Sequence, residues 1–139
     1  MLRFAIANRK NTPMPQTDIA NKNDLLRLVT RFYEFLLADD SIKHFFTTVT
    51  HLDLDTHLPL LADFWEMILF HKGDYRNNPM AIHLDLHKKS PLEKHHFDTW
   101  LQYFNQSVDE LFEGPVAEQA KQRAFSIATV MRIKVGEMA

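Results

Sequence analysis

From Leu25 to Leu36 the apolar residues Leu25, Leu28, Val29, Phe32 and Leu36 return every three or four positions. The same interval runs from Phe97 through Trp100, Leu101, Phe104, Val108 and Leu111 to Phe112. Spacing of this kind gathers apolar side chains on one side of a helix and cannot line one face of a strand, so it restricts the chain to amphipathic helices that need a partner. Leu61, Phe64, Trp65 and Ile68 form a third stripe, and Ala117, Ala120, Ala124, Ile127, Ala128, Met131 and Val135 a fourth. Three glycines against eleven phenylalanines leave few tight turns and a bulky interior, which argues against a sandwich of short strands. The expected class is all-α, with four principal helices in two antiparallel pairs.

The punctuation predicts the boundaries. Residues 1–17 carry Asn-Thr-Pro and Met-Pro-Gln and are expected to be a loosely attached leader, with one domain over 18–139. A first helix is expected from a cap at Asn23 to Asp39-Asp40, then a tight segment at Ser41–Phe46 and a polar connection over 47–55. The second helix is expected to open around Thr56–Pro59, with proline in its first turn, and to run to His71. Two turns at Met80–His87 follow the Gly73–Pro79 loop. Ser90-Pro91-Leu92-Glu93 matches a capping box and predicts a helix from Pro91 to the Gly114-Pro115 stop, before a last helix over Val116–Val135.

Charge and composition remove whole classes of function. Sixteen basic and eighteen acidic residues are scattered along the chain, net −2, so nucleic acid and anionic membranes are not expected partners. The absence of cysteine excludes disulfides, thiolate metal sites and thiol nucleophiles. Any metal must therefore be held by histidine, carboxylate or tyrosine. Charges interrupt every apolar run short of the ~18 residues a membrane span requires, and the expected location is cytoplasmic. No two glycines lie close enough for a phosphate loop, dinucleotide fingerprint or nucleophile elbow.

The eight histidines are the remaining chemical resource. His44, His51, His71 and His95 sit in polar or terminal contexts and are expected at the surface. His83 lies in the short apolar segment Met80–Leu86, where an adjustable element suits a metal ligand, although a satisfied core histidine would show the same pattern. His57 stands at the entrance end of the stripe Leu61, Phe64, Ile68, and Pro59 two residues on leaves the direction of its ring open. Tyr33 and Trp100 fall on core faces and each carries a polar hydrogen that wants a partner; either is equally at home as plain core. His83 and His87 are a helical pair that suits zinc, without the glutamate of a metalloprotease.

Residues at matched spacing then identify a likeness. Phe32-Tyr33, Phe64-Trp65, Leu69-Phe70, Asp74-Tyr75, Asn78-Pro79-Met80 and His83-Leu84 are followed by His96-Phe97, Trp100-Leu101, Phe104, Val108-Asp109, Phe112, Gly114, Ala117-Glu118, Ala120-Lys121, Arg123-Ala124 and Ile127-Ala128. As a set, over residues 20–135, this resembles the group III truncated haemoglobins. The missing paired glycines agree with the third group. The resemblance implies a 2-over-2 helical sandwich around a pentacoordinate b-type haem. It places His83 as the proximal iron ligand, Tyr33, Trp100 and His57 on the distal side, and Phe32, Leu61, Phe64, Met80 and Phe97 in the pocket wall. Tyr75, Arg76, Lys88 and Lys89 are candidates for the propionates. The implied ligands are O2, NO and CO, with NO dioxygenation or peroxidase-like chemistry served by a reductase. Two other readings use the same residues: a haem-free helical interaction module, and a zinc protein built on His83 and His87.

Overall fold

A computed structural model of the chain describes residues 16–138. It contains five α-helices: α1 Lys22–Ala38, α2 Leu54–Phe70, α3 Pro79–Lys89, α4 Lys94–Leu111 and α5 Pro115–Gly136, with a single π-helical turn at Phe45–Val49. The expected leader falls almost wholly outside the described residues. Its last two residues are tied down: Thr17 O accepts from Glu113 N at 3.0 Å, and Gln16 Nε2 donates to the carbonyls of Asp109 and Glu110.

Local chemistry starts each helix, in places one turn from where the sequence suggests. Asn21, not Asn23, caps α1: its side chain accepts from Asp24 N at 3.0 Å while Asp24 accepts from Ala20 N at 2.8 Å. Asn21 thus satisfies an orphan donor of the first turn, and the Asp24 carboxylate ties down the residue before the cap. Asp53 caps α2, accepting from Asp55 N and Thr56 Oγ1, so the helix opens before Thr56 and Pro59 falls inside it. Asn78 caps α3 with Pro79 in the first position. Ser90 ends α3 rather than starting α4, because Pro91 and Leu92 stay outside the helix. Glu93 is the α4 cap, and His96 supplies the reach-back, its Nδ1 accepting from Glu93 N at 3.0 Å.

The start of α5 is capped from the far end of the chain. Asp18 accepts from Val116 N at 2.9 Å and Ala117 N at 2.8 Å. Gly114, at φ +149°, leaves room for that carboxylate: a β-carbon there would sit 2.4 Å from Asp18 Cγ.

Helix α1 packs on both α2 and α4, α4 packs on α5, α2 also meets α5, and α3 rests on α5. Leu25, Leu28, Val29 and Leu36 of α1 and Phe104 and Val108 of α4 are fully buried where these layers meet. Phe104 lies between the two tryptophans, stacked on Trp65 at 4.8 Å and on Trp100 at 5.9 Å. Such aromatic burial contributes about 1.5–3 kcal/mol per side chain to folding. Helix α3 differs from the rest, since it has no fully buried residue. Among the described residues, no helix is long and apolar enough to cross a membrane.

Candidate functional site

A cavity of about 210 Å³, open to solvent on one side, lies between the α1–α2 layer and α3–α5. Its walls are almost entirely apolar, with Tyr33, His57, His83, His96 and Trp100 among the polar exceptions. Phe32, Tyr33, His57, Leu61, Phe64 and Trp65 contribute from α1 and α2; His83, Phe97 and Trp100 line the same space from α3 and α4. Ile82, 54% exposed, stands at the mouth.

His83 is held by its own helix. Its Nδ1 lies 2.7 Å from Pro79 O, and because a carbonyl only accepts, Nδ1 carries the proton and Nε2 keeps a free lone pair. Burial lowers the His83 pKa and the Pro79 bond raises it; burial is the larger, so the ring is neutral near pH 7. His57 is likewise lowered, first by burial and then by His83 across the cavity.

Tyr33 and His57 form one unit. The Tyr33 hydroxyl is 2.9 Å from His57 Nε2, and the two rings pack edge to face at 5.4 Å. The α2 helix begins early enough for the His57 ring to turn inward, so Pro59 does not divert it. Burial pushes the Tyr33 phenol well above its ordinary range, keeping the hydroxyl protonated. Trp100 is fixed by Phe32, edge to face at 5.5 Å, and by the Phe104 stack. Among the described residues its indole N–H has no protein acceptor.

Of the residues singled out in the sequence, Tyr33, His57, His83, Trp100, Phe32, Leu61, Phe64, Phe97 and Tyr75 line this cavity. Met80 does not. It packs with Leu84, Leu92, Phe97, Met131 and Val135 in a second apolar cluster that adjoins the cavity, since Leu92, Phe97 and Met131 belong to both. Tyr75 lies against Phe64 at 5.3 Å. Arg76, Lys88 and Lys89 are exposed and outside the lining, and Lys89 pairs with Asp85. His44 is half-buried against Phe45 rather than at the surface, whereas His51, His71 and His95 are exposed.

The sequence reading missed Phe45, Phe46 and Leu52, which reach the cavity from the connection between α1 and α2, and Leu86, Leu92 and His96 around the α3–α4 junction. Leu86 had a signal, since it lies three residues after His83 on the same helical face. The connection had none, because its short apolar pieces have no period. The zinc reading finds no support: His87 Nδ1 accepts from Leu92 N, and among the described residues no group of three or more metal-ligating side chains converges.

Comparison with known proteins then assigns the family. No family model matches the chain. A group 1 truncated haemoglobin from Tetrahymena pyriformis is 30% identical over 100 residues, 70% of this chain and 78% of that protein. The chain belongs to the truncated haemoglobins. A group 3 truncated haemoglobin from Campylobacter jejuni is 27% identical over 112 residues, 78% of this chain and 86% of its own length. The crystal structure of a group III truncated haemoglobin from Campylobacter jejuni superposes with a TM-score of 0.78, over 87% of this chain and 95% of that one, at 23% identity. The truncated globin fold expected from the residues is therefore the fold observed, and the likeness to group III holds in sequence and in structure. As a truncated haemoglobin the chain has a globin's haem-binding, gas-binding role.

Proposed function

We propose that this truncated haemoglobin holds a b-type haem in the cavity with His83 Nε2 as its iron ligand, and that the opposite side takes O2, NO or CO. The observation that carries this is the His83 tautomer. A neutral imidazole whose Nδ1–H is committed to Pro79 O presents the lone pair an axial ligand needs. Apolar walls suit the porphyrin faces. The enclosed volume is below the ~300–1,000 Å³ usual for small-molecule sites, so a group as large as a porphyrin would also need the open mouth, and its acidic propionates would then meet water.

A haem bound there supplies a ferrous iron able to take a diatomic gas. The chain supplies the donors around that gas. Tyr33 and Trp100 offer an O–H and an N–H to the space opposite His83, in largely apolar surroundings. His57 sets which way the Tyr33 proton points. With the proton on Nε2, His57 donates to Tyr33 Oη and the phenol proton is free for the ligand; with the proton on Nδ1, Nε2 accepts it instead. Electron-rich ligands are thereby favoured, O2 over CO. NO dioxygenation or peroxidase-like turnover would use the same donors and would need a reductase.

The test is spectroscopic. Protein mixed with one equivalent of ferrous haem should give a sharp Soret band of a five-coordinate histidine complex that shifts on adding CO. A spectrum of free haem, or one unchanged by His83→Ala, would remove the axial assignment.

A further inference from the structure

The connection between α3 and α4 is fastened by two histidines that no part of the gas-binding reading uses. Leu92 N donates to His87 Nδ1 at 2.9 Å, and the next amide, Glu93 N, donates to His96 Nδ1 at 3.0 Å. An imidazole nitrogen accepts only when it carries no proton. Both rings are therefore neutral with their proton on Nε2, the tautomer opposite to that of His83. A proton added at either Nδ1 sets N–H against N–H and breaks the bond.

What the bonds fasten is the wall of the cavity. His87 belongs to α3 and His96 to α4, so the pair clamps the linker to both helices. Leu92, between them, lines the cavity and packs into the cluster of Met131 and Val135. Helix α3 buries no residue fully; beyond the clamp it is held by the partly buried Met80, Leu84 and Leu86 and by its packing on α5.

We propose that the α3–α4 junction is a proton-operated latch: protonation of His96 unties Glu93, loosens the linker and lets α3, which carries His83, swing off the cavity and release its haem. The latch stands on the junction geometry alone, and only its consequence for haem rests on the function proposed above.

The groups around the His96 ring set the direction. His96 is nine-tenths buried and faces His95 at 4.0 Å, Phe45 at 4.8 Å and His44 at 6.2 Å between ring centres, with Glu93 as an acidic neighbour. Burial, His95 and His44 disfavour its charged form and Glu93 favours it; burial is the largest, and the net shift is downward. On α4, Lys94 is paired with Asp98. Beside His87 on α3 are Lys88 and Lys89, the latter paired with Asp85. Helix α5 presents the apolar Ile127, Met131 and Val135 to this junction. The latched form thus excludes the proton, so the latch is closed at neutral pH and loosens as pH falls below the ordinary histidine range.

The test follows amide exchange in the full-length protein between pH 7.5 and 5.0, corrected for intrinsic rates. Protection at Glu93 and its neighbour Leu92 should fall about 10-fold per pH unit as one proton is taken up on opening. In His87→Gln/His96→Gln, whose side-chain carbonyls accept at any pH, protection should be level. Haem transfer to an excess of a haem-acceptor protein should accelerate with acid in the wild type and not in the variant. Acid-independent protection in the wild type, or an unchanged slope in the variant, overturns the latch. If the variant does not fold, ring nitrogen spectra of the wild type decide: Nδ1–H at neutral pH in His96 refutes it. A chain that takes up no haem defeats the proposed function, while the amides still decide the latch.

Discussion

Replacing Tyr33 by Phe removes one oxygen from the cavity and leaves the ring's shape. The ring is held edge to face by Phe32 at 5.6 Å and Phe46 at 5.2 Å, contacts that survive the change. What is lost is a donor to the ligand and the 2.9 Å bond to His57. A net hydrogen bond between neutral groups contributes about 0.5–1.5 kcal/mol and one to a charged partner about 1.5–3 kcal/mol. A gas that draws electron density lies toward the second range, and 1.4 kcal/mol is about tenfold. O2 release should therefore quicken about tenfold or more, while CO release changes less. His57→Ala keeps the donor and loses only its orienting partner, about 0.5–1 kcal/mol, so release should quicken only about two- to fivefold. Stopped-flow displacement of O2 by excess CO reads both rates. Equal rates in wild type and Tyr33→Phe, or a larger effect from His57→Ala, would show that Tyr33 does not donate to the ligand.

Three further outcomes follow from other parts of the molecule. His83→Gly should lose tight haem uptake and regain a histidine-like Soret band with millimolar imidazole; rescue failing in a folded variant would place the iron ligand elsewhere. Asp18→Ala deletes the cap on α5 and should cost about 1–2 kcal/mol, read as a lower midpoint in urea; an unchanged midpoint would mean water caps α5 equally well. Asp39 is held below the ordinary carboxylate range first by the Tyr103 hydroxyl, at 2.6 Å, and then by Ser41. A depressed folded pKa stabilises above the unfolded value and is lost as pH falls through the folded one. Tyr103→Phe should therefore flatten the loss of stability on the acid side of pH 4 in melts at stepped pH, and an identical acid limb would refute the coupling.

The helices could be read before any coordinates because they follow from periodicity, and the resemblance to the group III truncated haemoglobins named nine of the residues that line the cavity. A residue on the apolar stripe of α1 or α4 has only the neighbouring layer to face, and Phe32, Tyr33, Phe97 and Trp100 do so. The reading failed where direction depends on one turn of helix. Met80 shares a short helix with His83, yet packs into the adjoining apolar cluster and not onto the cavity itself. Ser90 has the sequence of a cap and ends a helix instead.

By itself the order of residues determined an all-helical chain with one neutral-histidine candidate on a short helix, since hydrophobic spacing and the chemistry of caps act over a few residues. Tertiary structure alone decided what meets across the layers: Tyr33 with His57, Asp18 with the start of α5, and the two amides of the α3–α4 linker with His87 and His96. The long-range pairings join residues far apart along the chain, and the linker bonds depend on where the chain leaves one helix and enters the next. Hydrogen bonds act over about 3 Å, so which donors find which acceptors follows from packing and cannot be deduced from spacing.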